Sequence, residues 1–214
     1  MKDSICYIVG AGVFTGMPLL PQKDDYIIAA DGGYTYIQAY GLKANLLMGD
    51  FDSLETLPED VEILRHPVEK DDTDTMLAVQ KGLELGYKTF VIYGGLGGRL
   101  DHTLANLQTL AWLSKQGARG YLVGEGLAIT AITNGGMKLG PQNQGVISVF
   151  CSGETAEGVT LKGLHYPLEN ATLTSDMPLG VSNEFTGCES LISVEKGTLL
   201  VLWPENNFKL PEVF

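Results

Sequence analysis

A chain of 214 residues is long enough for one large domain or two small ones, and either size can bury a core. Its apolar fraction of 44% and charged fraction of 19% are those of a globular protein rather than a disordered one. A formal net charge of −12 argues against nucleic-acid or anionic-membrane partners, which call for basic surfaces. The charge suits a small cationic ligand. It suits a polyanion only where metal ions or local Lys and Arg bring positive charge.

The first half alternates short apolar runs with helical patterns. Ile5–Val9, Tyr26–Ala30, Leu46–Met48, Val61–Leu64, Thr89–Tyr93 and Gly120–Val123 read as strands. Gly33–Tyr40 and Thr73–Leu85 read as helices, the second stopped by Gly86. Asp101–Gln116 is the clearest helix, with Leu104, Leu107 and Ala111 expected on its apolar face and Gly117 beyond its end. Strands alternating with helices predict an α/β domain with a mostly parallel, helix-flanked sheet. From about Leu127 the helical period disappears. Leu127–Thr133, Val146–Phe150, Ala171–Thr174, Leu191–Val194 and Thr198–Trp203 read as strands, and 134–145 (NGGMKLGPQNQG) as a loop. This half is expected to be an all-β sandwich or barrel. The expected domains are 1–125 and 126–214.

Cys6, Cys151 and Cys188 are widely spaced and form no CxxC pair, which predicts buried free thiols in a reducing compartment. The start, MKDSICYIVG, lacks the pattern of a signal peptide. No run approaches the ~20 apolar residues of a membrane span. The expected setting is the cytoplasm, with no membrane partner.

In open α/β sheets, ligands bind beyond the carboxyl ends of the strands. The first half places its polar residues there repeatedly. Asp31-Gly32-Gly33 follows one strand, Gly49-Asp50-Phe51-Asp52-Ser53 a second, and GGLGGRLDH (94–102) a third. The strand near residue 63 leads to Asp71-Asp72-Thr73-Asp74 at the head of a helix. Parallel strands would bring at least five carboxylates to one edge, which is costly unless a divalent ion or protons offset the repulsion.

Each motif also has a plain structural reading. Asp72 or Thr73 would cap a helix, with Asp74 complementing its dipole. Asp101 would cap the next helix, and GGLGG by itself is a turn. His66 and His165, beside prolines, read as loop residues. Their grouping favours chemistry instead. Mg²⁺ takes oxygen ligands and keeps waters, so one or two carboxylates plus substrate phosphates suffice. Phosphates suit a glycine loop at a helix start, and Arg99, one of three arginines with Arg65 and Arg119, supplies a planar fork of donors. His102 and Asn106, four residues apart, would reach a ligand lying at that helix N-terminus.

Gly10-Ala11-Gly12…Gly16 with Asp31 superficially resembles a dinucleotide fingerprint. The spacing is GxGxxxG, however, and Pro18 and Pro21 fall where the helix should run, which argues against a nicotinamide cofactor. No GxxxxGK[ST] motif occurs either.

The ordered set ADGG (30–33), GDFDS (49–53), DDTD (71–74) and GGRLDH (97–102), followed by GVSNEF (180–185), closely resembles the thiamine pyrophosphokinase family over nearly the whole chain. The resemblance implies a Rossmann-like α/β catalytic domain binding ATP and Mg²⁺, followed by a β-sandwich domain that binds thiamine. It also implies a homodimer with active sites at the subunit interface. The implied reaction moves a pyrophosphoryl group from ATP to the hydroxyl of thiamine, giving thiamine diphosphate and AMP. By motif, Asp50, Asp52 and Asp74 would hold metal, and Asp71, Arg99 and Asp101 would be catalytic. Asp31, Gly32, Asp72, Thr73, Gly97, Arg99, His102 and Asn106 would serve the nucleotide. Ser182 and Asn183 would contact the aminopyrimidine ring. Whether Asp101 or Asp71 accepts the hydroxyl proton stays open. Two rival readings are a pyrophosphokinase for another hydroxymethyl substrate, such as a reduced pterin, and a non-catalytic nucleotide or thiamine sensor.

Overall fold

The apolar runs of the first half become strands β1 (Cys6–Val9), β2 (Tyr26–Ala30), β3 (Leu46–Gly49), β4 (Glu62–Arg65), β5 (Thr89–Tyr93) and β6 (Arg119–Gly124) in the computed structural model. Residues 4–49, 61–65, 72–206 and 208–214 are described. The chain divides into two compact units, Met1–Thr109 with Gly117–Glu125, and Leu110–Gln116 with Gly126–Phe214.

In the first unit the strands pair in parallel in the order β6-β5-β1-β2-β3-β4. β1 and β3 are buried at every residue, the mark of a sheet covered on both faces. After β1 the chain builds β2, β3 and β4 to one side, then returns to lay β5 on the other. The sheet therefore reverses direction between β1 and β5, and that is where open α/β sheets carry their ligand crevice. No helix follows β1, consistent with the prolines at positions 18 and 21. A 3-10 turn over Asp31–Gly33 runs into α1 (Tyr34–Ala39). α2 (Asp74–Glu84) presses Gly82 onto the sheet so closely that a Cβ there would meet the ring of Phe90.

α3 spans Leu100–Lys115; Ala111 is buried as expected, but the rest of the buried stripe differs. Leu104 is 54% exposed, whereas Asn106, Leu110 and Leu113 are buried at helical spacing. The helix is turned so that the Asn106 amide reaches the Gly95 carbonyl, and Leu100 and Leu104 swing outward with it. A polar contact thus overrides the leucine pattern. Among the described residues no helix is long and apolar enough to cross a membrane.

The second unit holds β7 (Leu127–Thr133), β8 (Gly136–Leu139), β9 (Val146–Cys151), β10 (Thr155–Lys162), β11 (Leu168–Thr174), β12 (Asn183–Glu184), β13 (Ser190–Ser193), β14 (Thr198–Pro204) and β15 (Glu212–Val213). β12-β9-β14-β7 pair antiparallel in one sheet, and β11-β10-β13-β8-β15 in another. Two expectations are corrected here. Part of the expected 134–145 loop is β8, a strand whose flanking glycines hide it. β10 was missed because its register shifts between Ala156 and Val159, where Gly158 sits at φ 68°, and the shift breaks the two-residue period. The thiols also differ from expectation, since Cys6 is buried but Cys188 is exposed.

Gly33 marks the tightest approach in the first unit, because a Cβ there would run into the Val9 carbonyl at the end of β1. Gly33→Ala should therefore destabilise the protein by about 1–3 kcal/mol. Urea unfolding measures this, and a wild-type midpoint would show that the two strand ends separate freely.

Candidate active site

At the reversal point the segments leaving β1 and β5 run against each other. The Gly10 amide donates to the Tyr93 carbonyl at 2.8 Å, and the Gly12 amide to the Gly94 carbonyl at 2.8 Å. A Cβ on Gly10 would lie 2.9 Å from the Gly94 carbonyl oxygen, and one on Gly12 would lie 2.5 Å from it. Gly94 itself sits at φ 64°, and a Cβ there would strike the Gly10 carbonyl. No side chain fits at any of the three positions. Val13 and Leu96 continue the contact as an isolated β-bridge.

This contact floors a cavity of about 700 Å³ within the first unit. Asp31, Thr73, Asp74, Gly97, Arg99, His102 and Asn106, all expected site residues, line it. Asp31 holds φ 52° at the end of β2, and Gly49 lies against its backbone, where a Cβ would be 3.1 Å from the Asp31 Cα. The capping alternative resolves to Thr73, whose hydroxyl oxygen accepts from the Met76 amide at 3.2 Å. Asp72 instead is exposed and accepts from Gln80 Nε2 at 3.4 Å. The Gly32 carbonyl accepts the Thr35 hydroxyl at 2.9 Å. Neither Gly32 nor Asp72 is part of the cavity wall.

Asp101 stands in the first turn of α3 and is joined to Arg99 by two hydrogen bonds. Nε donates to Oδ1 at 3.2 Å and Nη2 to Oδ2 at 2.6 Å. The bond from the Arg99 guanidinium is the main reason the Asp101 carboxyl is pulled down to about 2. Both side chains are well exposed, so the pair is weak enough for a competing anion to open it. Asn106, though on the wall, has its Nδ2 committed to the Gly95 carbonyl at 2.8 Å and is buried. It shapes the glycine loop from below. Asp50, Asp52 and Asp71 lie outside the described residues. Among the described residues no group of three metal-ligating side chains gathers.

Ser182 and Asn183 belong to the second unit. Ser182 is exposed at φ 56°, with its amide donating to Ser148 Oγ at 3.1 Å. Asn183 is 3% exposed, and its amide group is spent on backbone. Oδ1 accepts from the Tyr166 and Glu184 amides at 2.9 Å each, and Nδ2 donates to the Tyr166 carbonyl at 2.7 Å. This clamp presents the Tyr166 ring, 61% exposed, with His165 edge-on against it at 4.6 Å.

Sequence reasoning missed Tyr166, and it set aside the segment from Gly10 to Phe14, which lines the cavity together with Tyr36. The signal for that segment was the pair of small residues after β1, whose purpose shows only once β5 lies alongside.

A glycine-floored cavity at the reversal point of a parallel sheet, with an arginine fork and the heads of α2 and α3 on its wall, has the donors and positive charge that suit a phosphorylated ligand; Asp101 itself is not part of the wall. Residues 17–122 match the family model described as thiamin pyrophosphokinase, catalytic domain, and residues 137–199 match that described as thiamin pyrophosphokinase, vitamin B1 binding domain. The chain belongs to the thiamin pyrophosphokinase family. Thiamine pyrophosphokinase of Bacillus subtilis is 31% identical over 183 residues, covering 82% of this chain and 85% of the relative. The crystal structure of thiamine pyrophosphokinase from Bacillus subtilis superposes with a TM-score of 0.85 at 26% identity, covering 94% and 99% of the two chains. A thiamin pyrophosphokinase family protein from Enterococcus faecalis gives 0.78 at 28% identity, with coverage of 94% and 99%.

The Asn183 clamp is directly testable. Asn183→Ala strips three hydrogen bonds from partly buried backbone and should cost about 2 kcal/mol in urea unfolding. Unchanged stability with a raised thiamine KM would show instead that Asn183 serves the ligand itself.

Proposed function

We propose that this protein is a thiamine diphosphokinase that transfers a pyrophosphoryl group from ATP to the hydroxyl of thiamine, releasing AMP. The observation that carries this reading is the order of two family matches, catalytic and then vitamin B1 binding, with Arg99, Asp74 and the rest of the cavity wall from Ala30 onward inside the first. In this reading residues 1–125 form a Rossmann-like catalytic domain and residues 126–214 a thiamine-binding β-sandwich. The working form is a cytoplasmic homodimer with active sites at the subunit interface.

The hydroxyl oxygen of thiamine attacks the β-phosphorus. The bond from that phosphorus to the oxygen bridging to the α-phosphate breaks, and AMP leaves with that oxygen. The hydroxyl proton passes to a carboxylate, Asp101 or Asp71. Such a transfer needs alignment and charge neutralisation rather than a covalent intermediate. Arg99 supplies the planar fork, and a phosphate that takes it frees Asp101 beside the reacting group. Gly97 and the heads of α2 and α3, with Thr73 and His102, receive the triphosphate, while Asn106 acts through Gly95. Asp31, Gly32 and Asp72 complete the nucleotide surroundings. Asp74, with Asp50 and Asp52, would hold Mg²⁺; an all-carboxylate set suits this hard ion. When bound, the ion neutralises phosphate charge. On the thiamine side, Ser182 and the Tyr166 ring meet the aminopyrimidine, with Asn183 positioning them. The acidic character of the chain attracts the thiazolium cation.

Incubation with ATP, Mg²⁺ and thiamine should yield thiamine diphosphate and AMP in equal amounts. Asp74→Asn should lower turnover about 100-fold or more while unfolding like the wild type. ADP as the nucleotide product would overturn the reaction class. Turnover with a reduced pterin but not thiamine would overturn the substrate, and binding without turnover would make the protein a sensor.

A further inference from the structure

The connection from β1 to β2 is irregular and is held by a residue that belongs to neither strand. Pro18 and Pro21 lack an N–H and keep this segment out of helix and ladder. The backbone groups between them therefore need partners from elsewhere. Tyr93, the last residue of β5, supplies them at Leu19. Its hydroxyl donates to the Leu19 carbonyl at 2.8 Å and accepts from the Leu19 amide at 3.2 Å. Its own main-chain carbonyl accepts from the Gly10 amide at 2.8 Å. One residue thus closes the chain from Gly10 to Leu19 into a loop, and the first part of that loop, Gly10 to Phe14, is cavity wall. The Tyr93 ring is fully buried and stacks on Tyr7 at 6.3 Å and 14°, which fixes its direction. The Tyr7 hydroxyl donates to the Leu20 carbonyl at 3.4 Å. Farther on, the Asp25 carboxylate accepts from the Ile5 and Gln22 amides at 2.7 and 2.8 Å, so the rest of the connection is pinned independently.

We propose that Tyr93 is a positioning residue for the nucleotide, its hydroxyl holding the 10–19 loop in the form that lines the cavity. The inference rests on the nucleotide reading of the cavity and adds to it a residue that is not on the wall. Tyr93 acts through the loop. A phenol offers one donor and two acceptor sites, and this one spends its donor and an acceptor on a single residue. Little else holds the far side of the loop. Between residues 11 and 19 only Met17 belongs to the apolar core. The remaining side-chain pin is Thr15, whose exposed Oγ1 accepts from the Glu125 amide at 3.2 Å. A segment with so few buried apolar contacts owes its local stability to its hydrogen bonds. Losing two of them shifts the balance between held and released loop by about tenfold or more.

Tyr93→Phe keeps the buried ring and removes only the hydroxyl. It should raise the ATP KM about tenfold, and calorimetry with Mg²⁺·ATP should show the same loss of affinity directly. The thiamine KM and kcat should stay within about twofold of the wild type, the pattern of lost uniform binding to one substrate. Residue-resolved hydrogen exchange should find the Leu19 amide protected in the ligand-free wild type and released in the variant, with the β5 amides protected in both. A thiamine KM that rises as much as the ATP KM would overturn the proposal, since general loosening would then account for the loss. Wild-type ATP affinity in a variant whose Leu19 amide exchanges freely would overturn it too. The exchange measurement on the wild type needs no variant, and a freely exchanging Leu19 amide there would show that Tyr93 does not hold the loop. If the wild type bound no Mg²⁺·ATP, the nucleotide reading itself would fall. Each of the other contrary results leaves that reading standing.

Discussion

The site depends on one steric fact, the passage of Gly10 and Gly12 against Gly94 with no side chain between them. Two parallel strands can end side by side anywhere, but their connecting segments can touch backbone to backbone only where Cβ atoms are absent. Here the contact carries two amide-to-carbonyl bonds and is continued by the Val13–Leu96 bridge. It aims the rest of the 94–102 segment, with Arg99, across the cavity toward α3. Asn106 then fixes the same segment from the helix side through the Gly95 carbonyl. The Tyr36 hydroxyl fixes the other partner through Gly12. The cavity floor is thus held from both flanks by polar groups that a ligand does not have to displace.

Electrostatics build on this frame. In a chain of net charge −12, the arginine of the cavity is held by the aspartate two residues on. An exposed pair of this kind adds little to stability. Its value lies in keeping a guanidinium oriented and a carboxylate ionised until a stronger anion arrives. The carboxylates expected around Asp74 would repel one another without a cation, which is why hard-metal chemistry suits this edge of the sheet.

Much of this was legible in the sequence, and the failures have identifiable causes. Buried parallel strands announce themselves as apolar runs ending in glycine or aspartate, so β1, β2, β3 and β5 were visible, as were Asp31, Asp74 and Arg99 beyond the strand ends. The buried face of α3 was misread at Leu104, though not at Ala111, because Asn106 counts as polar in any pattern, whereas its amide is buried against the Gly95 carbonyl. β10 escaped because Gly158 shifts its register and breaks the alternation. Phe14 and Tyr36 lie 22 residues apart and meet only through the sheet order, which no local pattern encodes. Asn183 was expected to meet the ligand, but its amide is spent on the backbone of Tyr166 and Glu184, so the residue facing outward is the aromatic one.

The central claim, that the glycine contact shapes the nucleotide site, is best tested at Gly94. Mg²⁺·ATP affinity would be measured by calorimetry on Gly94→Ala protein shown to be folded by circular dichroism. The account predicts at least a tenfold loss of affinity, because a Cβ at φ 64° against Gly10 must displace the segment that carries Arg99. Wild-type affinity in that variant would contradict it.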